Sequence, residues 1–383
     1  MASLIRARVA TTPQMLQAFG DEALIAGALA FEAGLARAQA REGLIPAAAA
    51  EAIAAACREP PDVAWLAEAA AHAGAMAIPM VEELRRRVQD RDPAAAPMVH
   101  RGATSQDVAD TALMLQAKAG LSLIEADVGR ITGALRRLAE AHAATPMLAR
   151  TLLQPAQLIT FGLKAAQWRL GVADAVARLR RESVAALRLQ LGGPAGVLVG
   201  FEGRGPAVAK ALAQELGLGV APASSHARRD AVAGLGAALA ILVGALAKIA
   251  RDVALMAQAE VAEAFEPLVE GRGGSSAMAH KRNPTGCQVT LSAAVRAPQL
   301  AATLMSAMPG EHERGLGGWQ AEGPVLEELF LLAAGAARTM AEVAEGLDVR
   351  PDAMARNLGS ARVAGETAEA EALTALVLMA GDA

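Results

Sequence analysis

Three long stretches without proline constrain the fold of this chain more than any other feature of its sequence. They span residues 104–143, 156–191 and 226–265, are rich in Ala and Leu, and carry charged side chains at helical spacing. A helix of about 40 residues is roughly 60 Å long. Such a helix is stable in water chiefly when it packs against others. We therefore predict an all-α protein built on a bundle of long helices.

The apolar composition agrees with this prediction. Hydrophobic residues make up 54% of the chain, but aromatic residues only 2%, so most of the apolar mass is Ala, Leu and Val. Ala and Leu favour helices, whereas sheets are enriched in aromatic and β-branched residues. Residues 231–247 form an uncharged run that is too apolar for a helix with one solvent-exposed face. We expect this run to be buried where several bundles meet in a homo-oligomer, and not to span a membrane.

Prolines and glycines divide the chain into three parts. Residues 1–100 have shorter helical patterns that prolines interrupt, which predicts a separate N-terminal helical domain. Residues 101–346 should form the central long-helix bundle, with a Gly- and Pro-rich loop at 266–286. Residues 347–383 leave room only for a short, reduced C-terminal helical tail.

Local signals predict where the long helices begin and end. Thr104 is a hydroxyl N-cap for the first of them. Pro155 suits the first turn of the second, which should end at the glycine-rich segment 192–196. After the loop the helical pattern resumes, and the segment 309–318 interrupts it once more.

Charge and motif content exclude several classes of function. The formal net charge is −4 without a basic stripe, so we expect no nucleic-acid partner. The sequence has no metal-type spacing of His, Cys and carboxylates and no phosphate-binding glycine loop, so we expect neither a metal nor another cofactor. The N-terminus lacks the apolar core of a secretory signal, and the two cysteines are widely separated. These features predict a cytoplasmic protein.

The loop at 271–284 concentrates the side chains that could carry chemistry. It holds two serines, a histidine, a lysine, two arginines and an asparagine on a backbone that three glycines make adaptable. Lys281 and Asn283 could bind a carboxylate. The residues alone leave two interpretations open, a mobile anion-binding loop and a solvated linker.

This loop resembles a family signature. Residues 274–284 read GSSAMAHKRNP, which is similar to the GSS-x-MP-x-K-x-NP motif of the fumarase/aspartase superfamily. Two further segments match in the same order, HRGATSQD at 100–107 and RTLLQPA, followed by TFG, within 150–162. The resemblance implies a fumarase/aspartase-like fold and a homotetramer. It also implies active sites at which the three regions meet from three different subunits.

Within the superfamily, one branch is most similar. Residues 308–319 read MPGEHERGLGGW and resemble the MPQEHERxLGxW segment of the bacterial 3-carboxy-cis,cis-muconate cycloisomerases. The resemblance implies a small polycarboxylate substrate, whose own carboxylate adds across a double bond to give 4-carboxymuconolactone. This is an aromatic-catabolic step in the protocatechuate branch of the β-ketoadipate pathway. Because the substrate supplies the nucleophile, neither a cofactor nor an enzyme nucleophile is required.

The resemblance also assigns roles to individual residues. Ser275 is expected to be the catalytic acid/base, with Ser276 beside it as the fallback. Lys281 and Asn283 should bind the carboxylate at which charge develops. The other expected substrate-binding residues come from three segments: His100, Thr104 and Ser105; Arg150, Thr151 and Gln154; and His312 and Arg314. Of these, Thr104 and Ser105 suit a carboxylate at a helix N-terminus, and Arg150 and Gln154 should lie on the opposing helix.

Three departures from the superfamily pattern narrow the reaction. Ala279 replaces the proline of the signature. Pro155 and Leu152 occupy the positions where adenylosuccinate lyases and fumarases, respectively, carry a histidine. The missing histidines argue against those activities, and neither position offers an imidazole as the proton donor. Two alternatives stay open, another superfamily lyase that releases fumarate by β-elimination and a non-catalytic homologue.

Overall fold

The computed structural model describes residues 3–274, 278 and 281–380, and this part of the chain is mainly helical. The helices before the central bundle are α1 (Leu4–Ala10), α2 (Pro13–Ala18), α3 (Asp21–Arg41), α4 (Ala47–Ala56), α5 (Val63–Ala73) and α6 (Ala77–Arg91), followed by a 3-10 turn at Ala96–Met98. The long central helices are α7 (Ser105–Ala141), α8 (Phe161–Ala186), α10 (Asp230–Met256), α11 (Thr285–Ser306) and α12 (Gly318–Glu345). The shorter elements are α9 (Gly205–Leu216), α13 (Pro351–Ala361), α14 (Ala368–Ala380) and the strands β1 (Pro146–Thr151), β2 (Gln154–Thr160), β3 (Arg188–Leu189), β4 (Gly219–Val220), β5 (Ala264–Phe265) and β6 (Asp348–Val349).

The five long helices pack into one bundle, which confirms the predicted all-α fold. Helix α7 packs against α8 and α12, and α10 packs against α8, α11 and α12. Arg229, at the start of α10, contacts Asp110 near the start of α7 and Glu322 near the start of α12. At the other end of the bundle, Arg130 of α7 pairs with Glu345 of α12. Helices α7, α10 and α12 therefore begin at the same end of the bundle.

Helix α10 contains the apolar run of the sequence. It is the one helix in the described part of the chain that is long and apolar enough to cross a membrane, and 61% of its apolar window is buried inside the protein. Its buried side chains join those of α7, α8, α11 and α12 in one hydrophobic cluster. These contacts fit the expected buried helix.

The predicted start of the second long helix is wrong. Residues 146–160 form an antiparallel hairpin of β1 and β2, and α8 begins only at Phe161. Proline disfavours the helical conformation of the residue before it, so Gln154 stays extended and Pro155 pairs with Arg150 across the hairpin. Arg150, Thr151 and Gln154 consequently lie on a hairpin, not on an opposing helix.

The hydrophobic core has two parts. One buried cluster lies within the central bundle, and the other lies among α3, α4, α5 and α6. The second cluster also includes Val108 and Ala112 of α7 and the buried face of α9. The N-terminal helices are thus packed against the beginning of α7 and against a helix from the middle of the chain.

The C-terminal tail docks at the far end of the bundle. Strand β6 pairs with β5, α13 packs against β1, and α14 packs against α8. The tail therefore contacts both the hairpin and the segment that leads into the loop at 266–284.

Candidate active site

The predicted site residues fall into two groups at opposite ends of the bundle. His100, Thr104 and Ser105 lie at the start of α7, and we call this group the His100 half. The hairpin follows the end of α7, and Arg150 of that hairpin contacts Glu263, just before the loop. We call the hairpin together with the loop 266–284 the loop half. Because α7 has 37 residues, the two halves are separated by about 55 Å in one chain.

A buried carboxylate organises the His100 half. Thr104 is the N-cap of α7, and its backbone N–H donates to Asp107 Oδ2 at 3.0 Å. Asp107 also accepts from the backbone N–H groups of Gly192 and Gly193, at 3.0 and 2.9 Å. His226 Nε2 lies 2.7 Å from Asp107 Oδ1. These contacts fix the start of α7 against the glycine-rich segment that was predicted to be a helix breaker.

The segment 308–319 reaches this same place. Arg314 Nη1 donates to Thr104 Oγ1 at 3.0 Å, and Arg314 Nη2 donates to the carbonyl oxygen of Pro194 at 2.7 Å. Ser105 is half-buried beside Thr104, whereas His312 is exposed and has a left-handed backbone with a φ of 49°. Two predicted substrate-binding residues, Thr104 and Arg314, are thus in direct contact within one chain.

His100 is paired with an acid that the sequence did not single out. His100 Nδ1 lies 2.6 Å from Glu32 Oε1, and the Glu32 side chain is fully buried. Burial by itself lowers the pKa of His100, but the charge of Glu32 and its hydrogen bond outweigh burial, so the pKa is raised. His100 also has a left-handed backbone, with a φ of 61°. Such a conformation is uncommon for a residue other than glycine and is often found at functional sites.

Arg150 has a partner of its own in the loop half. Its guanidinium donates to both carboxylate oxygens of Glu263, each at 2.8 Å, and Glu263 is fully buried. Asn357 of the tail donates to the same carboxylate at 2.7 Å. Through Glu263, which binds both Arg150 and Asn357, the hairpin is linked to the tail. A role of Arg150 in substrate binding remains a prediction, as do those of Thr151 and Gln154, which are exposed near the turn.

Two arginines hold the loop at its ends. Arg282 donates to the carbonyl oxygen of Glu266 at 2.8 Å and to Asp348 at 3.2 Å, and its guanidinium lies 4.6 Å from the centre of the Phe265 ring. Arg272, at the other end of the loop, pairs with Glu342 of α12. These contacts anchor both sides of the segment that carries the predicted catalytic serines.

The described part of the loop presents polar groups at its surface. The backbone N–H of Asn283 donates to the carbonyl oxygen of Gly273 at 2.8 Å, which closes the base of the loop. Lys281 is exposed and Asn283 is half-buried. Ser275 and Ser276 lie outside the described residues, so their catalytic roles remain predictions.

Sequence reasoning missed three acids that organise the site, namely Glu32, Asp107 and Glu263. Each is buried and pairs with a basic residue distant in sequence. Asp107 stood out only as the last residue of the segment HRGATSQD at 100–107. The one signal available for Glu32 is its position among apolar residues of an amphipathic helix, where a buried acid requires a partner.

Removing Arg150 is expected to destabilise the protein. An Arg150→Leu substitution would leave the buried Glu263 without its cationic partner, which costs about 3 kcal/mol in comparable pairs. Urea unfolding measures this loss. A matched control is Arg180→Leu, which breaks an exposed pair with Glu125 and should cost less than about 1 kcal/mol. Equal stability of the two variants, together with lost activity in Arg150→Leu alone, would assign Arg150 to substrate binding instead.

Comparison with known proteins gives consistent matches. The model of the lyase family matches residues 7–298. A 3-carboxy-cis,cis-muconate cycloisomerase of Bradyrhizobium diazoefficiens is 48% identical over 357 residues, which cover 93% of this chain and 79% of that protein. A nitrosuccinate lyase of Streptomyces davaonensis is 45% identical over 350 residues, which cover 89% of this chain and 74% of that protein.

A solved structure gives the same indication. The crystal structure of 3-carboxy-cis,cis-muconate lactonizing enzyme from Pseudomonas putida superimposes on this chain with a TM-score of 0.89. The two sequences are 42% identical, and the superposition covers 93% of this chain and 80% of the other. The long-helix bundle is therefore shared with that enzyme.

Proposed function

Since this chain belongs to the lyase family, whose model matches residues 7–298, we propose that it converts 3-carboxy-cis,cis-muconate into 4-carboxymuconolactone. The observation that carries this proposal is the contact of Arg314 with Thr104 at the start of α7. This contact brings the segment 308–319, which resembles the cycloisomerases, into the His100 half. The identity of 48% to a cycloisomerase over 93% of the chain supports the same conclusion.

The reaction needs one proton transfer to carbon. A carboxylate oxygen of the substrate forms a C–O bond to the conjugated double bond, and the displaced electron pair moves toward the neighbouring carboxylate as an enediolate. The carbon α to that carboxylate then takes up a proton. A trianion thereby becomes a dianionic lactone, so one proton is consumed from solvent near neutral pH. Ser275 is proposed as the group that delivers the proton to carbon.

The described side chains suit a substrate with three carboxylates. Lys281 and Asn283 offer a cation and an amide donor for the enediolate. The start of α7 offers the hydroxyl groups of Thr104 and Ser105 near the positive end of the helix dipole. Arg314, bonded to Thr104, adds a guanidinium that can bind a further carboxylate.

The distance between the halves supports a shared active site. About 55 Å separates the His100 half from the loop half of one chain, far more than a small substrate can span. If both halves contribute to one site, that site requires two or more copies of the chain. We propose a homotetramer in which each site takes the His100 half from one subunit and parts of the loop half from others. A cytoplasmic location belongs to the same proposal.

The surface of the chain offers places for such contacts. On α10, Ala237, Ile241 and Gly244 lie at helical spacing on a face that this chain leaves partly or fully exposed. The small residues Ala237 and Gly244 would allow close approach of another helix, and Ile241 would give it an apolar contact. The turn of the hairpin exposes Leu152 and Leu153, 96% and 72% accessible, which a neighbouring subunit would cover.

Purified protein is expected to consume 3-carboxy-cis,cis-muconate without added metal or nucleotide. Loss of the absorbance of the conjugated diene should accompany the uptake of one proton per turnover in weakly buffered solution. Proton NMR should identify the lactone. A chain that leaves this substrate unchanged, while it releases fumarate from adenylosuccinate or argininosuccinate, would contradict the proposal.

The similarity to a nitrosuccinate lyase favours a second candidate. Elimination from nitrosuccinate removes a proton from carbon and expels nitrite, which leaves fumarate. The same proton-transfer group and carboxylate-binding residues would serve that reaction in the opposite sense. A kcat/KM for nitrosuccinate above that for 3-carboxy-cis,cis-muconate would select the elimination. If the protein is inactive on 3-carboxy-cis,cis-muconate, adenylosuccinate, argininosuccinate and nitrosuccinate, the remaining alternative is that it is a non-catalytic homologue.

A further inference from the structure

Glu32 and His100 form a buried pair at the edge of the His100 half. Glu32 lies on α3, and its side chain is fully buried. One carboxylate oxygen, Oε1, lies 2.6 Å from His100 Nδ1. The other oxygen, Oε2, is buried without a hydrogen-bond partner in the described part of the chain. The ion pairs of the described residues give Glu32 a single cationic partner, His100.

This arrangement favours a charged imidazole ring. A buried carboxylate without a cation is so unfavourable that it tends to take up a proton. A proton on each nitrogen of His100 provides the cation. Glu32 contacts only the Nδ1 atom of the ring. The described residues offer the other nitrogen, Nε2, no hydrogen-bond partner, and the His100 side chain is 15% exposed. Nε2 is therefore free to donate to a ligand.

Charged groups on three helices act on the ring. Glu32 of α3 and Asp107 of α7 favour the protonated form, whereas Arg85 of α6 and burial oppose it. The balance raises the pKa of His100 above its ordinary value. The backbone of His100 is left-handed, with a φ of 61°, and persists in that uncommon conformation only if its surroundings fix it. Thr104, four residues further along the chain, accepts a hydrogen bond from Arg314 in the proposed pocket.

We propose that Glu32 is a positioning residue, which holds His100 as an imidazolium so that Nε2–H binds a carboxylate of the substrate. Glu32 itself does not touch the substrate and acts only through the ring. This assignment rests on the proposed function, because it uses the negative charge of the substrate. It adds a buried acid on α3 to the three segments that the family signature identifies.

The first test needs no variant of Glu32. Proton–carbon NMR of the protein, labelled at histidine, follows each of the six imidazole rings as the pH changes. A His100→Gln sample identifies the His100 signal by its absence. The His100 ring is expected to titrate above the ordinary histidine range. A ring that titrates at or below that range would overturn the proposal, whatever substrate the protein uses.

The second test removes the charge of Glu32. In Glu32→Gln the carboxylate no longer supports the ring charge, while burial still opposes it, so His100 should lose its proton at a lower pH. The basic limb of the pH profile of kcat/KM should move in the same direction. Near pH 7.5, loss of one charge-assisted hydrogen bond is expected to lower kcat/KM by about 10- to 100-fold, with KM raised more than kcat is lowered.

Two further variants separate positioning from stability. Glu32→Asp keeps the charge and should restore part of the wild-type pH profile. The matched control is Glu215→Gln, which neutralises an acid that pairs with Arg37 on the same helix α3 and leaves His100 untouched. Its pH profile should match that of the wild type. A basic limb that stays in place in Glu32→Gln, or moves equally in Glu215→Gln, would overturn the proposal.

Failure of the proposed function would have a different signature. If the wild-type protein does not turn over 3-carboxy-cis,cis-muconate, the substrate assignment is wrong, but the histidine titration still tests the Glu32–His100 pair. If the wild-type protein is active and His100 titrates normally, the substrate assignment stands and the positioning role is wrong.

Discussion

Replacing Ser275 by alanine is expected to lower kcat for lactone formation by about 10²- to 10⁴-fold, the usual contribution of a positioned proton-transfer group. In the proposed mechanism the Ser275 hydroxyl delivers the proton that the α-carbon takes up after ring closure, and alanine has no group to replace it. Because the substitution removes one oxygen atom from a loop side chain, it should leave the unfolding midpoint nearly unchanged. Stopped-flow absorbance with saturating substrate measures the effect.

Ser276→Ala is the matched control for this prediction. The two serines are neighbours in the same loop, so both variants alter the loop chemistry to the same extent. Ser276→Ala should retain much more activity than Ser275→Ala. If Ser275→Ala keeps full activity and Ser276→Ala does not, the proton-transfer role belongs to Ser276. If both keep it, neither serine transfers the proton.

Mixing two impaired variants is expected to restore activity. His100→Ala damages the His100 half, and Ser275→Ala damages the loop half. If each site takes these halves from different subunits, random mixed tetramers made from equal amounts carry about a quarter of their sites with both halves intact. Co-refolding or co-expression of the two chains should therefore raise the activity to about a quarter of the wild-type value.

A double variant controls for this recovery. Mixing Ser275→Ala chains with His100→Ala/Ser275→Ala chains leaves every loop half damaged, so no recovery should occur in any arrangement. Absence of recovery in the first mixture, with mixed oligomers demonstrated by mass spectrometry, would place both halves of a site in one subunit. A chain that is monomeric in solution yet active would equally rule out the shared site.

The bundle could be predicted because its signal is long and local. Three stretches of about 36–40 residues keep one helical character, and their summed preference leaves little choice of secondary structure. The same reasoning failed at residues 146–160, where a hairpin replaces the predicted beginning of a helix. There the chain has no regular apolar period. A two-residue turn at Leu152 and Leu153, both with left-handed backbones, is not a turn that the sequence suggests.

The site could be predicted only as a set of segments. The loop at 273–284 and the segments at 100–107, 150–162 and 308–319 stand out because their unusual polar residues match a family pattern. How these segments are arranged in space does not follow from their order in the sequence. Arg314 and Thr104 are 210 residues apart and in contact, whereas Thr104 and Arg150 are close in sequence and lie at opposite ends of α7.

The sequence by itself determined the fold class and the family, and it proposed candidate residues for binding a polycarboxylate and for proton transfer, because helical periodicity and motifs are local properties of the chain. Only the tertiary structure decided which of these residues meet. Packing of the five long helices separates the two halves of the site by the length of α7. It also supplies the buried acids Glu32, Asp107 and Glu263, whose partners lie 68, 119 and 113 residues away. A buried charge must find an opposite charge in space, and no local pattern specifies where in the chain that partner lies.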